Sequence, residues 1–414
     1  VPDLTSRVVS SLDSVDAAQW NSLDHGPSPF TEYGFLRALE RSGSVGVMAG
    51  WEPCYVLVEA STPARVPRAD GADGADESVG ADAASEIPPT RLVGAVAAYV
   101  KAHSYGEYIF DWAWARAAER AGLPYYPKLV VAVPMTPATG PRLLVAKDMS
   151  RGPVVARLVA GVKMLADRRR CGSIHWLFTT AAEQAELSAH GFMARASFQY
   201  HWHNVGYASF DEFMARMTSR RRKQLRKERA RVQASAPALE WVPGAALSGE
   251  DIAAIDRFYR TTTQNHHGQD YLNPGFFEAV VAEMPERVQW ARVRREGRTI
   301  AGALYFETDA ALYGRYWGCD EEIEFLHFEA AYYAAIERCI ARKIPLFEAG
   351  AQGEHKLIRG FEPTPTYSSH WIRHPGFAAA IERFLVEEAH AVQRNMAELA
   401  TLLPFRAADD GADS

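Results

Sequence analysis

The chain lacks any apolar run long enough to cross a bilayer. Its longest, such as Leu129–Met135 and Ala301–Phe306, fall far short of the roughly 20 residues that a spanning helix needs, and the first residues show no charged-then-apolar leader pattern. Cysteine is scarce and dispersed. Cys54, Cys171, Cys319 and Cys339 form no CxxC pair and no metal-like spacing, which excludes a disulfide framework or structural zinc and fits a reducing compartment. A cytoplasmic protein is expected. An excess of positive charge is also missing: 45 Lys and Arg face 51 Asp and Glu, for a net charge of −6, so a protein basic all over is excluded while a local basic patch is not. No serine sits in a Gly-x-Ser-x-Gly turn, which disfavours a serine hydrolase. His201 with His203, and His266 with His267, have no carboxylate or cysteine at ligand spacing, so no metal cofactor is expected.

What is present is ordinary globular composition, 48% hydrophobic and 23% charged over 414 residues, enough for two domains of roughly 150–200 residues each. One segment departs from it. Arg65–Pro89 is rich in Ala, Asp, Gly, Ser and Pro, buries too little apolar surface to offset its ordering entropy, and is expected to be a disordered insertion at a hairpin tip between Cys54–Glu59 and Arg91–Val100. The tail Ala407–Ser414 is acidic and expected to be mobile.

An offset of 169 residues aligns two stretches without a gap: Ile174–Phe178 with Lys343–Phe347, His190-Gly191-Phe192 with Arg359-Gly360-Phe361, and His201-Trp202 with His370-Trp371. Upstream, helix-like Thr31–Ser42 corresponds to Asn273–Met284 and strand-like Arg91–Val100 to Arg298–Glu307. Each copy reads as a strand, two helices, a β-hairpin, a third strand, a helix and a fifth strand. In the second copy these fall at Leu239–Val242, Asp251–Thr263, Asn273–Glu283, Val288–Val293, Thr299–Phe306, Ala311–Trp317, Leu326–Lys343 and Leu346–Ala349. The helix over Leu326–Lys343 follows from Leu326, Ala330, Tyr333, Ile336 and Ile340 recurring at three- and four-residue steps. The hairpin follows from the turn Arg295-Glu296-Gly297-Arg298. The expected units are residues 1–205 and 206–406.

Three strings carry a resemblance: Val133-Pro134-Met135-Thr136-Pro137-Ala138-Thr139-Gly140-Pro141-Arg142, Leu312-Tyr313-Gly314-Arg315-Tyr316-Trp317-Gly318, and Phe347-Glu348-Ala349-Gly350-Ala351-Gln352-Gly353-Glu354-His355-Lys356. With the doubled order of elements, they make the chain similar to the FemAB-like group, often labelled peptidoglycan biosynthesis protein, of the GNAT superfamily. The resemblance implies an α/β (α+β) fold of two tandem GNAT-like units, each a mixed, mostly antiparallel sheet flanked by helices. It also implies transfer of an acyl or aminoacyl group to an amine.

Within that frame the polar set Glu354, His355, Lys356 and Arg359 exists only in the second copy, where the first has Ala185, Glu186, Leu187 and His190. Such asymmetry marks either one retained site or drift on an exposed helix. An amine attacking an ester or thioester needs a proton acceptor and an oxyanion donor. Glu348 or His355 suits the first role, and Lys356 completes the expected catalytic set. Arg359 and Lys356, three residues apart, suit a phosphate or carboxylate, and Arg315, Tyr316, Thr139 and Arg142 are the other expected substrate contacts. Strand alternation places Tyr313 and Arg315 on one face and Tyr316 on the other; Glu348 is equally a strand residue paired with Arg315.

The basic run Arg220, Arg221, Arg222, Lys223, Arg226, Lys227, Arg229 and Arg231, opposed only by Glu228, reads as a helix with Phe213, Met217, Leu225 and Val232 inward and its cations toward solvent or a polyanion such as tRNA. Where ordinary GNAT enzymes cradle the pyrophosphate of coenzyme A, the second copy has Cys319-Asp320-Glu321-Glu322-Ile323-Glu324, which repels it. Thr139, Gly140 and Arg142 remain as phosphate contacts in the first. An aminoacyl-tRNA is therefore the expected co-substrate, acyl-CoA the alternative, and a non-catalytic RNA- or anion-binding protein the alternative outside enzymes.

Overall fold

The computed structural model of the chain describes residues 3–61, 90–235, 237–265, 268–350 and 353–406. The acidic insertion, His266-His267, Ala351-Gln352 and the tail lie outside the described residues. The first half supplies β1 (Leu4–Val9), β2 (Glu52–Ser61), β3 (Thr90–Lys101), β4 (Lys128–Val131), β5 (Leu144–Val145), β6 (Ser173–Thr179) and β7 (Met193–His203). The second supplies β8 (Ala238–Pro243), β9 (Val288–Arg295), β10 (Arg298–Glu307), β11 (Ala311–Cys319), β12 (Leu346–Glu348) and β13 (Glu362–Ile372). The element order read from the second copy holds throughout, with ends displaced by a few residues.

These strands form one sheet ordered β1-β2-β3-β4-β6-β13-β7-β12-β11-β10-β9-β8, with β5 beside β3. All pairings are antiparallel except β4 with β6 and β11 with β12. The halves exchange their last strands: β13 lies against β6, and β7 against β12. At the centre β7 pairs with β13, and Ser197 opposite Thr366 are separated by the same 169 residues that relate the two copies. The repeat is thus a local twofold axis, and Gly191 and Gly360, aligned by it, share the left-handed conformation with φ of 82° and 86°.

Packing follows the sequence pattern. The helix Arg151–Arg168 buries Val154, Val155, Leu158 and Val162 against the first half's strands. In the second half a near-continuous helical segment comprises Leu326–Phe328, a π-helical turn Glu329–Tyr333 and Ala334–Arg342, burying Ala330, Tyr333, Ile336 and Ile340 as the periodicity requires. The basic stretch differs from expectation in one respect. The chain breaks at Met217-Thr218, so Phe213 sits on a separate short helix, Phe210–Ala215, and the basic helix itself is Ser219–Ala234. No helix among the described residues is long and apolar enough to cross a membrane.

Candidate functional site

β11 and β12 are parallel and pair only at Ala311↔Leu346, Leu312↔Phe347 and Tyr313↔Glu348; beyond that they part. The fork opens a cavity of about 160 Å³ whose walls include Gly314, Arg315, Tyr316, Trp317, His327, Tyr332 and Gly350. A second space, about 560 Å³, shares Trp317 and His327 and is bordered by Glu321, Glu322 and Glu324. The acidic loop therefore stands at the mouth of the fork. Asp320 pairs with Arg257 and Glu321 with Arg295, while Glu322 and Glu324 make no ion pair among the described residues. None of the described residues of this border offers a pyrophosphate cations or glycine-rich backbone.

A bulge decides how β11 addresses the cavity. Its register with β10 shifts so that Leu304 faces Tyr316 and Tyr305 faces Gly314, leaving Arg315 as the extra residue. An inserted residue resets strand alternation and commonly re-aims a side chain. The expected opposition of Tyr313 and Tyr316 is thereby corrected: both pack into the same apolar cluster. Arg315 donates from Nη2 to Met135 O at 2.7 Å, which fastens the fork to the Val133–Arg142 loop of the first half. Sequence periodicity contains no signal for this bulge.

Lys356 is 1% exposed, and its Nζ donates to Gly350 O at 2.8 Å. No carboxylate among the described residues pairs with it. Burial alone pulls its pKa down to about 7, because a desolvated ammonium without a counter-charge is unstable. The backbone that achieves this is unusual: Gly350 and Gly353 take φ of 80° and 119°, values that L side chains rarely adopt, and Glu354–Arg359 closes as a 3₁₀ turn. His355 lies on the exposed side of that turn, with Nε2 2.9 Å from the Tyr332 hydroxyl. Its pKa is lowered by partial burial and by Arg359 and Lys356, so it serves Tyr332 as a neutral imidazole.

Glu348 does not line the cavity. It is 4% exposed on the face of β12 opposite Phe347, toward the first half, and its Oε2 has no hydrogen-bond partner among the described residues. His201 Nε2 stands 4.0 Å away. Burial raises the Glu348 pKa to about 8, against the pull of the Thr139 amide and the guanidinium groups of Arg315 and Arg142. Burial likewise lowers His201 to about 3, so that imidazole is neutral and no salt bridge forms.

Two residues expected to contact substrate are occupied otherwise. Arg142 directs Nε to Leu177 O and Nη2 to Ala138 O, both near 2.9 Å, with Nη1 on Gly140 O; it shapes its own loop. Arg359, 2% exposed, donates to Glu228 Oε2 at 2.8 Å, Tyr333 Oη at 3.0 Å and His355 O at 2.8 Å, and its guanidinium lies 3.4 Å over the Phe328 ring. Thr139 sits beside Glu348, and its own hydroxyl finds no partner. Glu228, the lone acid of the basic run, is the partner of Arg359, a pairing that spacing along the chain does not announce.

The helix Ser219–Ala234 buries Leu225, Glu228 and Val232. Arg229 is held by Glu329 and Glu337, Arg221 by Gln224, and Arg222 by the carbonyls of Ala215 and Met217. Arg220, Lys223, Arg226, Lys227 and Arg231 are exposed and make no ion pair among the described residues. Because Glu228 binds Arg359, the helix is clamped to the turn that carries Lys356.

No curated protein matches the chain by sequence. Among solved structures it resembles FemX, with a TM-score of 0.51 and 11% identity over 91% of this chain and 100% of that one. It also resembles a tandem GNAT protein from the clavulanic acid biosynthesis pathway, with a TM-score of 0.42 and 12% identity over 90% and 99% of the two chains. A third is the C-terminal domain of a putative lysylphosphatidylglycerol synthetase from Agrobacterium fabrum, with a TM-score of 0.44 and 9% identity over 70% and 85%. Residues 11–407 match the model of the FemAB-like family, described as peptidoglycan biosynthesis/recognition, and the chain belongs to that family of GNAT-fold acyl and aminoacyl transferases.

Proposed function

We propose that this transferase takes an aminoacyl group from aminoacyl-tRNA and joins it to an acceptor amine at the fork between β11 and β12. The observation that carries the reading is the Glu228–Arg359 ion pair, which sets five unpaired, exposed cations on a helix clamped to the turn of Lys356. A cationic face in a chain of net charge −6 is suited to a polyanion. The acidic mouth of the fork argues against the pyrophosphate of coenzyme A.

In this reaction the acceptor nitrogen attacks the ester carbonyl, the C–N bond forms, the C–O bond to the tRNA ribose breaks, and the proton lost by the amine ends on the departing ribose oxygen. Lys356 is assigned to the developing oxyanion. A buried lysine without a counter-charge gains most when negative charge appears beside it, which happens in the tetrahedral state and not in the bound ester, so the interaction lowers the barrier. Glu348 is assigned as the proton acceptor, reached through water, since a pKa of about 8 is near that of a reacting amine. Tyr332, Arg315 and Tyr316 wall the acyl group, and His355 orients Tyr332. The acceptor is assigned to the space between the halves, about 240 Å³, whose lining includes Tyr108, Arg195, Gln199 and Thr366.

The test is binding and transfer with the purified chain, using bulk aminoacylated tRNA and, separately, acetyl-CoA. Salt-sensitive binding of charged tRNA, with none of acetyl-CoA, is the expected result. Tight acetyl-CoA binding that survives ribonuclease, with no affinity for tRNA, overturns the donor assignment.

A further inference from the structure

The Glu228–Arg359 pair lies inside the molecule, although only one of its partners belongs to the turn of Lys356. Glu228 Oε2 receives Arg359 Nη2 at 2.8 Å and also the Tyr333 hydroxyl, and Glu228 Oε1 receives Gln224 Nε2 at 3.0 Å. Arg359 in turn reaches His355 O at 2.8 Å and Tyr333 Oη at 3.0 Å. The same guanidinium therefore grips three pieces of chain: the basic helix, the 3₁₀ turn, and the π-helical turn whose Tyr332 lines the cavity. The last two are locally irregular. A π turn has one more residue per loop of helix than its neighbours, and the 3₁₀ turn rests on two left-handed glycines. Irregular backbone of this kind clusters at switch regions, and one guanidinium links the basic helix to the turn that carries Lys356.

We infer that a polyanion bound on the outer face of the helix Ser219–Ala234 acts on Lys356 through Arg359, which is a positioning residue and not a substrate contact. This rests on the proposed donor. The five outer cations repel one another until an anion binds; neutralising them relaxes the helix, and although Arg229 also ties it to Glu329 of the π-helical turn, the only charged link from that helix to the turn of Lys356 among the described residues is Glu228. The tRNA body then does more than add affinity. It sets the lysine that meets its acyl end, so a donor stripped of its body loses turnover as well as binding.

The experiment uses the full chain and deacylated tRNA trimmed of its 3′-terminal CCA, so that no nucleotide reaches the cavity. The rate of trinitrophenylation of Lys356 by trinitrobenzenesulfonate at pH 7, in which the amine displaces sulfite from the ring, is followed by peptide mass spectrometry, with and without saturating tRNA. In the native chain tRNA is expected to change that rate about fivefold, a usual size for coupling between sites. In Glu228→Gln, and in Tyr333→Phe should the first fail to fold, tRNA binds with the same salt dependence and the rate change disappears. A native chain that binds tRNA with no change at Lys356, or a variant that keeps the change, overturns the coupling. Absence of tRNA binding to the native chain overturns the donor assignment and this inference with it.

Discussion

The chain runs from β6 and from β12 into the same topological position, twice, and builds it in two different ways. After β6, Thr180 caps the helix Ala181–Ala189 in a reciprocal capping box with Glu183, and Leu187 is fully buried. After β12, two left-handed glycines and a 3₁₀ turn bury Lys356 and Arg359. Leu187 aligns with Lys356. One copy has ordinary, well-capped structure with an apolar side chain in the interior; the other keeps a desolvated cation in its place. A cost of that kind persists where it serves chemistry, which is why we propose the second fork as the working one.

The comparison is broken most severely by making the copies alike. Lys356→Leu is expected to lower kcat/KM by a factor of about 10²–10³, as for loss of one oxyanion donor, while raising Tm, because an unpaired buried cation is removed. A variant that lost activity together with stability would make Lys356 a folding residue. The reciprocal Leu187→Lys is expected to lower stability by about 3 kcal/mol, by burying a charge without a partner, as read from denaturant midpoints. Next in size is the outer face of the basic helix. Reversing Arg220, Lys223, Arg226 and Lys227 to Glu is expected to flatten the slope of log K for tRNA against log salt by about 3 units, and an unchanged slope would remove the helix from the donor site.

Smaller effects concern pH. Lys356 offers charge only below its pKa of about 7, and Glu348 accepts a proton only as it ionises near about 8. The rate kcat/KM should therefore form a bell with its maximum between these values, and Lys356→Arg, permanently charged, should erase the alkaline limb while keeping part of the activity. Stability carries the opposite signature for Glu348. Its folded-state pKa is raised from 4.5 to about 8, so the folded form holds a proton that the unfolded form releases. That contribution is complete below about 4.5 and is lost as pH rises through 8. Glu348→Gln should flatten the decline in unfolding free energy across that window, measured by urea titration at a series of pH values.

Much of this was legible beforehand because it rests on local chemistry. The periodicity of Leu326, Ala330, Tyr333, Ile336 and Ile340 gave the helical segment, and the asymmetry between Leu187 and Lys356 pointed to the second copy. Three features were not legible. The bulge at Arg315 depends on how β10 and β11 register, and no residue type announces it. The capture of Arg359 by Glu228 joins residues 131 apart in sequence, and spacing on one helix face suggested a ligand contact. The placement of Glu348 behind the fork, against Thr139 and His201, needed the strand exchange, which an order of elements along the chain does not specify.

That exchange has a consequence for the history of such a chain. Two identical single units trading their last strands would form a swapped dimer with two equivalent forks, and any mutation would strike both at once. Covalent fusion replaces a concentration-dependent partnership with a permanent one and lets each copy mutate alone, so one fork is free to become scaffold while the other retains its buried lysine.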